Sequence, residues 1–329
     1  MKTFFIFLLT GLVLLLSTAA QAVDCQRASS PTEQMVCRDP ELRWLDHTLD
    51  ARWLEQLVGQ AQPNGKLYTE WLQQRKACSS PFCLKRAYFQ GYGQLFNANR
   101  HIDWSGEWWN VSATNGESGR LVIKNASDFS AELDLHAVRG AYKIDIDSEA
   151  RRYYGVLYVN NINGAENCAM IVVPRQDGNL EVSTQSNGSC ALLFPTDVRP
   201  DGVYVRGDHD PRPAATLLNT GILPDEKLDS AFRQLAGDEY AQYVATANAL
   251  HYTQDLDNVS AKAMTLRVIG EANRRAAIIM YNPSGSFWAM RVAPNAQNKL
   301  EFHYLTNQED KSAIPKTIQG WRSHFIVTQ

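Results

Sequence analysis

The cysteines constrain this chain more than any other feature. There are six, and four of them, Cys25, Cys37, Cys78 and Cys83, fall in a short stretch behind an apolar leader. The leader has Lys2 at its positive end, an apolar run over residues 4–17 and a small-x-small site at Ala20-Gln21-Ala22. That order predicts a secretory signal peptide over residues 1–22, removed before Val23. The run is short for a bilayer span, which takes about 20 apolar residues. Asp24 stands before Cys25, where a lipid-attached cysteine follows a small residue, so Cys25 is not read as an anchor. An even cysteine count in an exported chain predicts three disulfides rather than thiolate nucleophiles. Cys25 with Cys37 and Cys78 with Cys83 are the expected partners, because each pair closes a short loop at small entropic cost. Crosswise pairing of these four satisfies the count as well. Cys168 and Cys190 are expected to form a third bridge across neighbouring strands.

Around the first four cysteines the sequence reads as helix. Ser30-Pro31-Thr32-Glu33 is a capping box with proline at the first helical position, and Asp39-Pro40-Glu41 repeats the signal. Leu42, Leu45, Leu49, Trp53 and Leu57 then recur three or four apart as one apolar stripe. A break at residues 62–65 precedes a helix carrying Leu67 and Trp71 that ends near Cys78. A last helix is striped by Leu84, Tyr88, Tyr92 and Leu95. From Trp104 the period changes to two. Leu121 and Ile123, then Ala131, Leu133 and Leu135, alternate with polar residues. Asn163-Gly164, Asp177-Gly178, Asn187-Gly188 and Asp201-Gly202 punctuate the run. About eight antiparallel strands are expected, closed as a barrel or stacked as a sandwich, with the Trp104, Trp108 and Trp109 cluster as core. Residues 208–221 read as a linker. Beyond it, one or two helices over residues 228–250 precede strands at 263–269, 276–281, 286–292 and 300–305, with 325–327 as an edge strand. The expected fold class is therefore α+β and multidomain. It comprises a signal peptide (1–22), a disulfide-bonded helical domain (23–100), an antiparallel β domain (101–207), a linker (208–221) and an α+β domain (222–329).

Residues 24–96 resemble the LprI-type N-terminal domain of exported bacterial proteins. The matching positions are Cys25, Ala28, Glu33, Cys37, Leu45, Asp46, Trp71, Arg75, Cys78, Cys83, Leu84 and Tyr88. The resemblance implies the periplasm as compartment and, through the lysozyme inhibitor after which the family is named, a protein-binding role. Residues 222–322 resemble, less specifically, the inhibitor of vertebrate lysozyme family. The resemblance lies in a Phe-led helix, the hairpin at residues 277–289 and the aromatic strand Phe302-His303-Tyr304-Leu305. That family's inhibitory loop holds two cysteines around a Pro-His pair, whereas the connection here, residues 270–275, has none of these residues. The two resemblances together imply a binding protein that occludes a lysozyme or another muramidase. Glu271, Asn273, Arg274 and Arg275 are its expected partner-binding residues. The alternative is a periplasmic interaction or immunity-type protein with an unrelated partner.

Other chemistries find little in the sequence. A net charge of −3 does not suit a dedicated nucleic-acid binder. Asp208-His209-Asp210 has metal-ligand types, but in a polar, proline-rich stretch. Asp255-Leu256-Asp257-Asn258 lacks the glycine and the later ligands of a calcium loop. There is no Gly-x-Ser-x-Gly and no His-Glu-x-x-His. Asp145 and Asp147 share one strand face, as solvent-facing strand positions commonly do. Asp46 and Arg75 read as a helix–helix ion pair. No catalytic residue, metal or cofactor is expected, and no stable membrane insertion.

Overall fold

The computed structural model describes residues 22–59, 65–96, 102–186 and 188–326. The leader up to Gln21, the break at residues 62–64 and Asn187 lie outside the described residues. The chain divides into two compact units, one ending at Leu95 and the other beginning at Phe96.

The first unit has four helices, α1 (Pro31–Arg38), α2 (Pro40–Gly59), α3 (Gly65–Lys76) and α4 (Pro81–Leu95). The capping box forms as the sequence requires. Glu33 N–H donates to the Ser30 hydroxyl, and the Glu33 carboxylate accepts from the Ser29 and Ser30 amides. Asp39 caps α2 through the amides of Glu41 and Leu42. The α2 stripe Leu42, Leu45, Leu49 and Trp53 is fully buried, and Trp53, Tyr68, Trp71 and Tyr88 form one run of ring contacts. Cys25–Cys37 and Cys78–Cys83 pair as neighbours at disulfide distance, which settles the crosswise alternative.

The second unit begins with eight strands: β1 (Gly106–Asn110), β2 (Glu117–Lys124), β3 (Ser130–Arg139), β4 (Tyr142–Tyr153), β5 (Val156–Val159), β6 (Met170–Pro174), β7 (Leu180–Thr184) and β8 (Gly202–Arg206). They close as a barrel, not a sandwich, with β8 returning antiparallel to β1 at Trp108↔Arg206. Closure removes the unpaired edges that an open sheet would expose. The alternating residues Leu121, Ile123, Leu133, Leu135, Ile144 and Ile146 fill the interior, joined by Trp104 and Trp108. The Trp108 indole N–H donates to the Trp104 carbonyl. Of the expected Asn-Gly and Asp-Gly turns, Asp177-Gly178 joins β6 to β7. The β4–β5 hairpin turns instead at Tyr154-Gly155, both with positive φ, a turn the dipeptide rule does not reveal. Cys168 and Cys190 pair, but not strand to strand. Cys168 precedes β6, and Cys190 opens a four-residue helix, α5 (Cys190–Leu193).

Residues 208–221 are not a loose linker. The Arg212 guanidinium, oriented by the Asp210 carboxylate, donates to the carbonyls of Ala113 and Glu117 in the barrel. Leu217 is fully buried, and its N–H donates to the Tyr240 hydroxyl. The chain continues as α6 (Glu226–Ala236), α7 (Tyr240–Thr246), β9 (Ala249–Thr253), β10 (Lys262–Arg267), β11 (Ala276–Tyr281), β12 (Phe287–Pro294), β13 (Leu300–Thr306) and α8 (Lys316–Ile326). The five strands form an antiparallel sheet ordered β13-β12-β11-β10-β9. Its central strand β11 is buried at every position. Phe232, Tyr240 and Tyr243 of α6 and α7 pack among residues of one face. Ile318 and Trp321 of α8 pack with Ile278, Met280 and Met290 on the other.

Two expectations change here. Residues 325 and 326 end α8 rather than forming an edge strand, and Val327 lies outside the described residues. Residues 249 and 250, expected to end a helix, open the strand at 249–253 instead. His251 and Tyr252 are exposed on it, so its pattern has no apolar alternation to read.

The start of α8 is capped from a distance. The Asp257 carboxylate accepts from the amides of Lys316 (2.7 Å) and Thr317 (3.0 Å) and from the Thr317 hydroxyl (2.8 Å). Partial burial opposes ionisation of Asp257, but these donors outweigh it and hold the carboxyl below its usual range. Asp257→Ala should destabilise the fold by about 1 kcal/mol, as loss of a cap does, measured by denaturant unfolding. Because the folded value is depressed, the contribution is present above the unfolded pKa of roughly 4 and is lost as pH falls through the lower folded value. Wild type and variant should therefore converge in acid.

Candidate functional site

Within the second unit, the rim of the barrel and the five-stranded sheet enclose a cleft of about 960 Å³. It is built on backbone contacts. The β3–β4 turn consists of Gly140 and Ala141. Gly140 N–H donates to Gly116 O (2.7 Å), and Ala141 N–H donates to Ile269 O (2.9 Å) in the β10–β11 connection. Gly140 has a φ of +60°, and a Cβ there would lie 2.4 Å from the Ile269 carbonyl oxygen. Gly270 has a φ of +88°, and a Cβ there would strike the Tyr142 ring at 2.5 Å. Only glycine allows so close an approach with that backbone. Next to Gly116 the Asn115 side chain donates to the carbonyls of Val244 (3.1 Å) and Ala247 (2.7 Å) at the end of α7.

The expected partner-binding residues sit in this setting. The connection from Val268 to Arg275 is closed on itself: Val268 N–H donates to Arg275 O, and the amides of Arg274 and Arg275 both donate to Glu271 O. It is a tight turn seated on the barrel rim. Glu271, Arg274 and Arg275 line the cleft, whereas Asn273 is exposed outside it. Arg275 and Glu271 pair at 3.4 Å. Arg274 donates to the neutral Asn298 amide oxygen, and no carboxylate pairs with it among the described residues.

The opposite wall supplies groups that sequence reasoning did not single out. Arg291 on β12 is 6% exposed and meets Glu239 at 3.1 Å. Glu239 also faces His303 Nδ1 at 3.5 Å, and His303 Nε2 lies 3.8 Å from Glu301. Within reach of the Glu239 and Arg291 charges, the Tyr243 hydroxyl is buried with no hydrogen-bond partner among the described residues. Burial pushes its pKa well up, and the Glu239 charge adds to this against Arg291. Glu117 at the barrel rim is 3.2 Å from Arg139 Nε, close enough for attraction but without hydrogen-bond alignment. One sequence signal for the opposite wall existed. Arg291 interrupts an otherwise apolar strand, and a charge in that position implies a buried partner.

The cleft's volume is at the upper end of the roughly 300–1,000 Å³ usual for small-molecule sites. Its lining of guanidiniums, carboxylates, amides and an imidazole differs from the apolar lining of such sites. It suits an extended polar segment held by several hydrogen bonds.

The remaining candidates are placed elsewhere. His209 pairs with Asp208 on the exposed surface, while Asp210 serves Arg212. No group of three or more metal-ligating side chains comes together among the described residues. Asp145 engages His136 and Asp147 engages Asn163, so neither is directed at the other. Asp46 and Arg75 form the helix–helix ion pair in the first unit. No described helix is long and apolar enough to cross a membrane.

No family model matches the chain, and no curated protein matches it. Among solved structures, holo-PhuS, a heme-binding protein from Pseudomonas aeruginosa, aligns over 79% of this chain and 97% of that one. Its sequence identity is 11% and its TM-score 0.15, a level that carries no argument about fold or function.

If the Ala141–Ile269 contact holds the cleft together, Gly140→Ala should part the β3–β4 turn from the β10–β11 connection. Amide exchange at Ala141 should then accelerate roughly tenfold or more while β11 keeps its protection. Unchanged exchange at Ala141 would show that the rim is held by other contacts.

Proposed function

We propose that this is an exported binding protein of the bacterial envelope that takes a charged segment of a partner protein into the cleft between barrel and sheet. The observation that carries the reading is Arg274. Its guanidinium is fixed in the cleft wall by a seated turn and is met there by a neutral amide rather than a carboxylate. A guanidinium so placed is a ready partner for a carboxylate, which it can bind with two parallel hydrogen bonds. The three cysteine pairs fit an oxidising compartment. The LprI-like residues of the first unit support the periplasm.

The partner class we favour is a lysozyme or another peptidoglycan-cleaving enzyme, whose own cleft carries two carboxylates. A turn hydrogen-bonded to the barrel rim is poorly placed for insertion into an enzyme. The geometry instead favours a rigid face that receives an acidic segment of the partner. The second reading, an immunity-type or other envelope interaction protein, draws on Glu117, Glu271 and Glu301 in the same cleft, which favour a partner of mixed charge.

The test is capture and inhibition across a panel of lysozymes with the disulfide-bonded mature protein and its Arg274→Ala variant. A muramidase should bind at micromolar concentration or better. The variant should lose about 2 kcal/mol of binding, roughly thirtyfold in Kd, as expected for truncating one side of a desolvated charge pair. Binding that ignores Arg274 would remove the cleft from the mechanism. Failure of every lysozyme class to bind would leave the second reading.

A further inference from the structure

Inside the helical unit, α2 places two carboxylates one turn apart in the core, Asp46 at 1% and Asp50 at 3% exposure. One guanidinium faces them, that of Arg75 on α3, itself 8% exposed and paired with Asp46. The other groups around the pair are neutral donors. Tyr88 on α4 donates to Asp46 Oδ1 at 2.9 Å, and Tyr68 on α3 donates to Asp50 at 3.3 Å. Glu33 on α1 is turned to the amides of Ser29 and Ser30. The cluster is one positive charge short. Burial raises the Asp50 carboxyl, and the neighbouring Asp46 charge raises it further, as the missing cation requires. Burial and Asp46 likewise push the Tyr88 hydroxyl up.

The remaining oxygen of Asp46 shows where the cation comes from. Oδ2 accepts a hydrogen bond from the backbone nitrogen of Val23 at 2.7 Å. The adjacent Ala22 amide donates to Asp50. Two residues on, Cys25 is bridged to Cys37 on α1, which ties this segment to the helices independently of anything before it. Val23 is also the residue that the Ala20-Gln21-Ala22 site would leave at the start of the exported chain.

We propose that removal of the leader creates the missing charge: the new α-ammonium of Val23 stays where its amide now lies and forms a buried ion pair with Asp46 and Asp50. Hydrolysis by a signal peptidase adds water across the Ala22–Val23 bond. The hydroxyl goes to the Ala22 carbonyl and the hydrogen to the Val23 nitrogen, which takes a further proton from solvent. Asp50 loses the Ala22 amide and gains the ammonium in its place. With the leader attached, the site holds a neutral donor. With the leader gone, it holds a cation. Cleavage therefore tightens the helical unit. The proposal rests on the export reading given above, and its test separates the two.

Intact mass of the protein recovered from the periplasm tests the export reading, since cleavage before Val23 is required. A full chain released in vitro with Val23 as its first residue tests docking whatever the cell does. Its α-amine should acylate roughly tenfold or more slowly at neutral pH than in denatured protein. A Gly-Ser extension ahead of Val23 should speed amide exchange in α2 about tenfold or more. The ordinary α-amine pKa is about 7.7–8.0, and pairing raises it. The advantage of the free amine over the extended chain should therefore be full below that value and fade as pH rises through the raised one. Asp50→Asn, which keeps the Asp46–Arg75 pair, should shrink the advantage. An α-amine as reactive as in denatured protein, or an extension without effect on α2, would overturn the proposal.

Discussion

A single backbone hydrogen bond, from Ala141 N–H to Ile269 O, joins the barrel's β3–β4 turn to the connection between β10 and β11. Much of the second unit follows from it. The turn can reach that carbonyl because Gly140 presents no Cβ, and the connection can accept it because Gly270 presents none to Tyr142. The seated turn then fixes Arg274 and Arg275 in one wall of the cleft. Arg212 ties the 208–221 segment to the barrel, and Asn115 ties the barrel to the end of α7, both through backbone carbonyls. These bonds give the backbone carbonyls side-chain donors, as polar backbone groups drawn away from water require.

The same logic governs the charges. Arg291 lies in a buried strand and is tolerated because Glu239 meets it. Asp46 lies in a helical core and is tolerated because Arg75, Tyr88 and the Val23 nitrogen meet it. Removing one member of such a set leaves the others desolvated and unpaired, which costs more than the set contributes when whole. Beside the Arg291–Glu239 pair, the buried Tyr243 hydroxyl is one polar group that makes no hydrogen bond among the described residues.

What could be read from the sequence was whatever depends on near neighbours. The Ser30–Glu33 box, the α2 stripe, the barrel's alternation and the two short cysteine loops all involve residues a few positions apart, and each forms. The failures involve distant partners. Residues 325–327 look like strand because phenylalanine, isoleucine and valine favour it. Residues 325 and 326 are instead in a helix whose first amides are capped by Asp257, some sixty residues earlier. The 208–221 segment looks like a linker because its prolines and aspartates hide what Arg212 and Leu217 bury. The candidate turn at 270–275 was found, but its seat on the barrel was not, because that seat depends on glycine conformations in two separate hairpins. Arg291 could be suspected from its place in an apolar strand, but its partner Glu239 and the His303 that shares it come from other elements and leave no mark in the sequence around it.

Closure of the barrel by β1 against β8 has a consequence for how the chain acquires its shape. Trp108 must find Arg206, with six strands between them already in register. Pairings so distant in sequence are slow to form, because the connecting chain must be ordered before the contact rewards it. A chain emerging from its N-terminus can complete the helical unit early, where the two bridges span only 12 and 5 residues. The barrel must wait until β8 has appeared. Until then β1 is an open edge, and a neighbouring copy of the chain can compete with β8 for it.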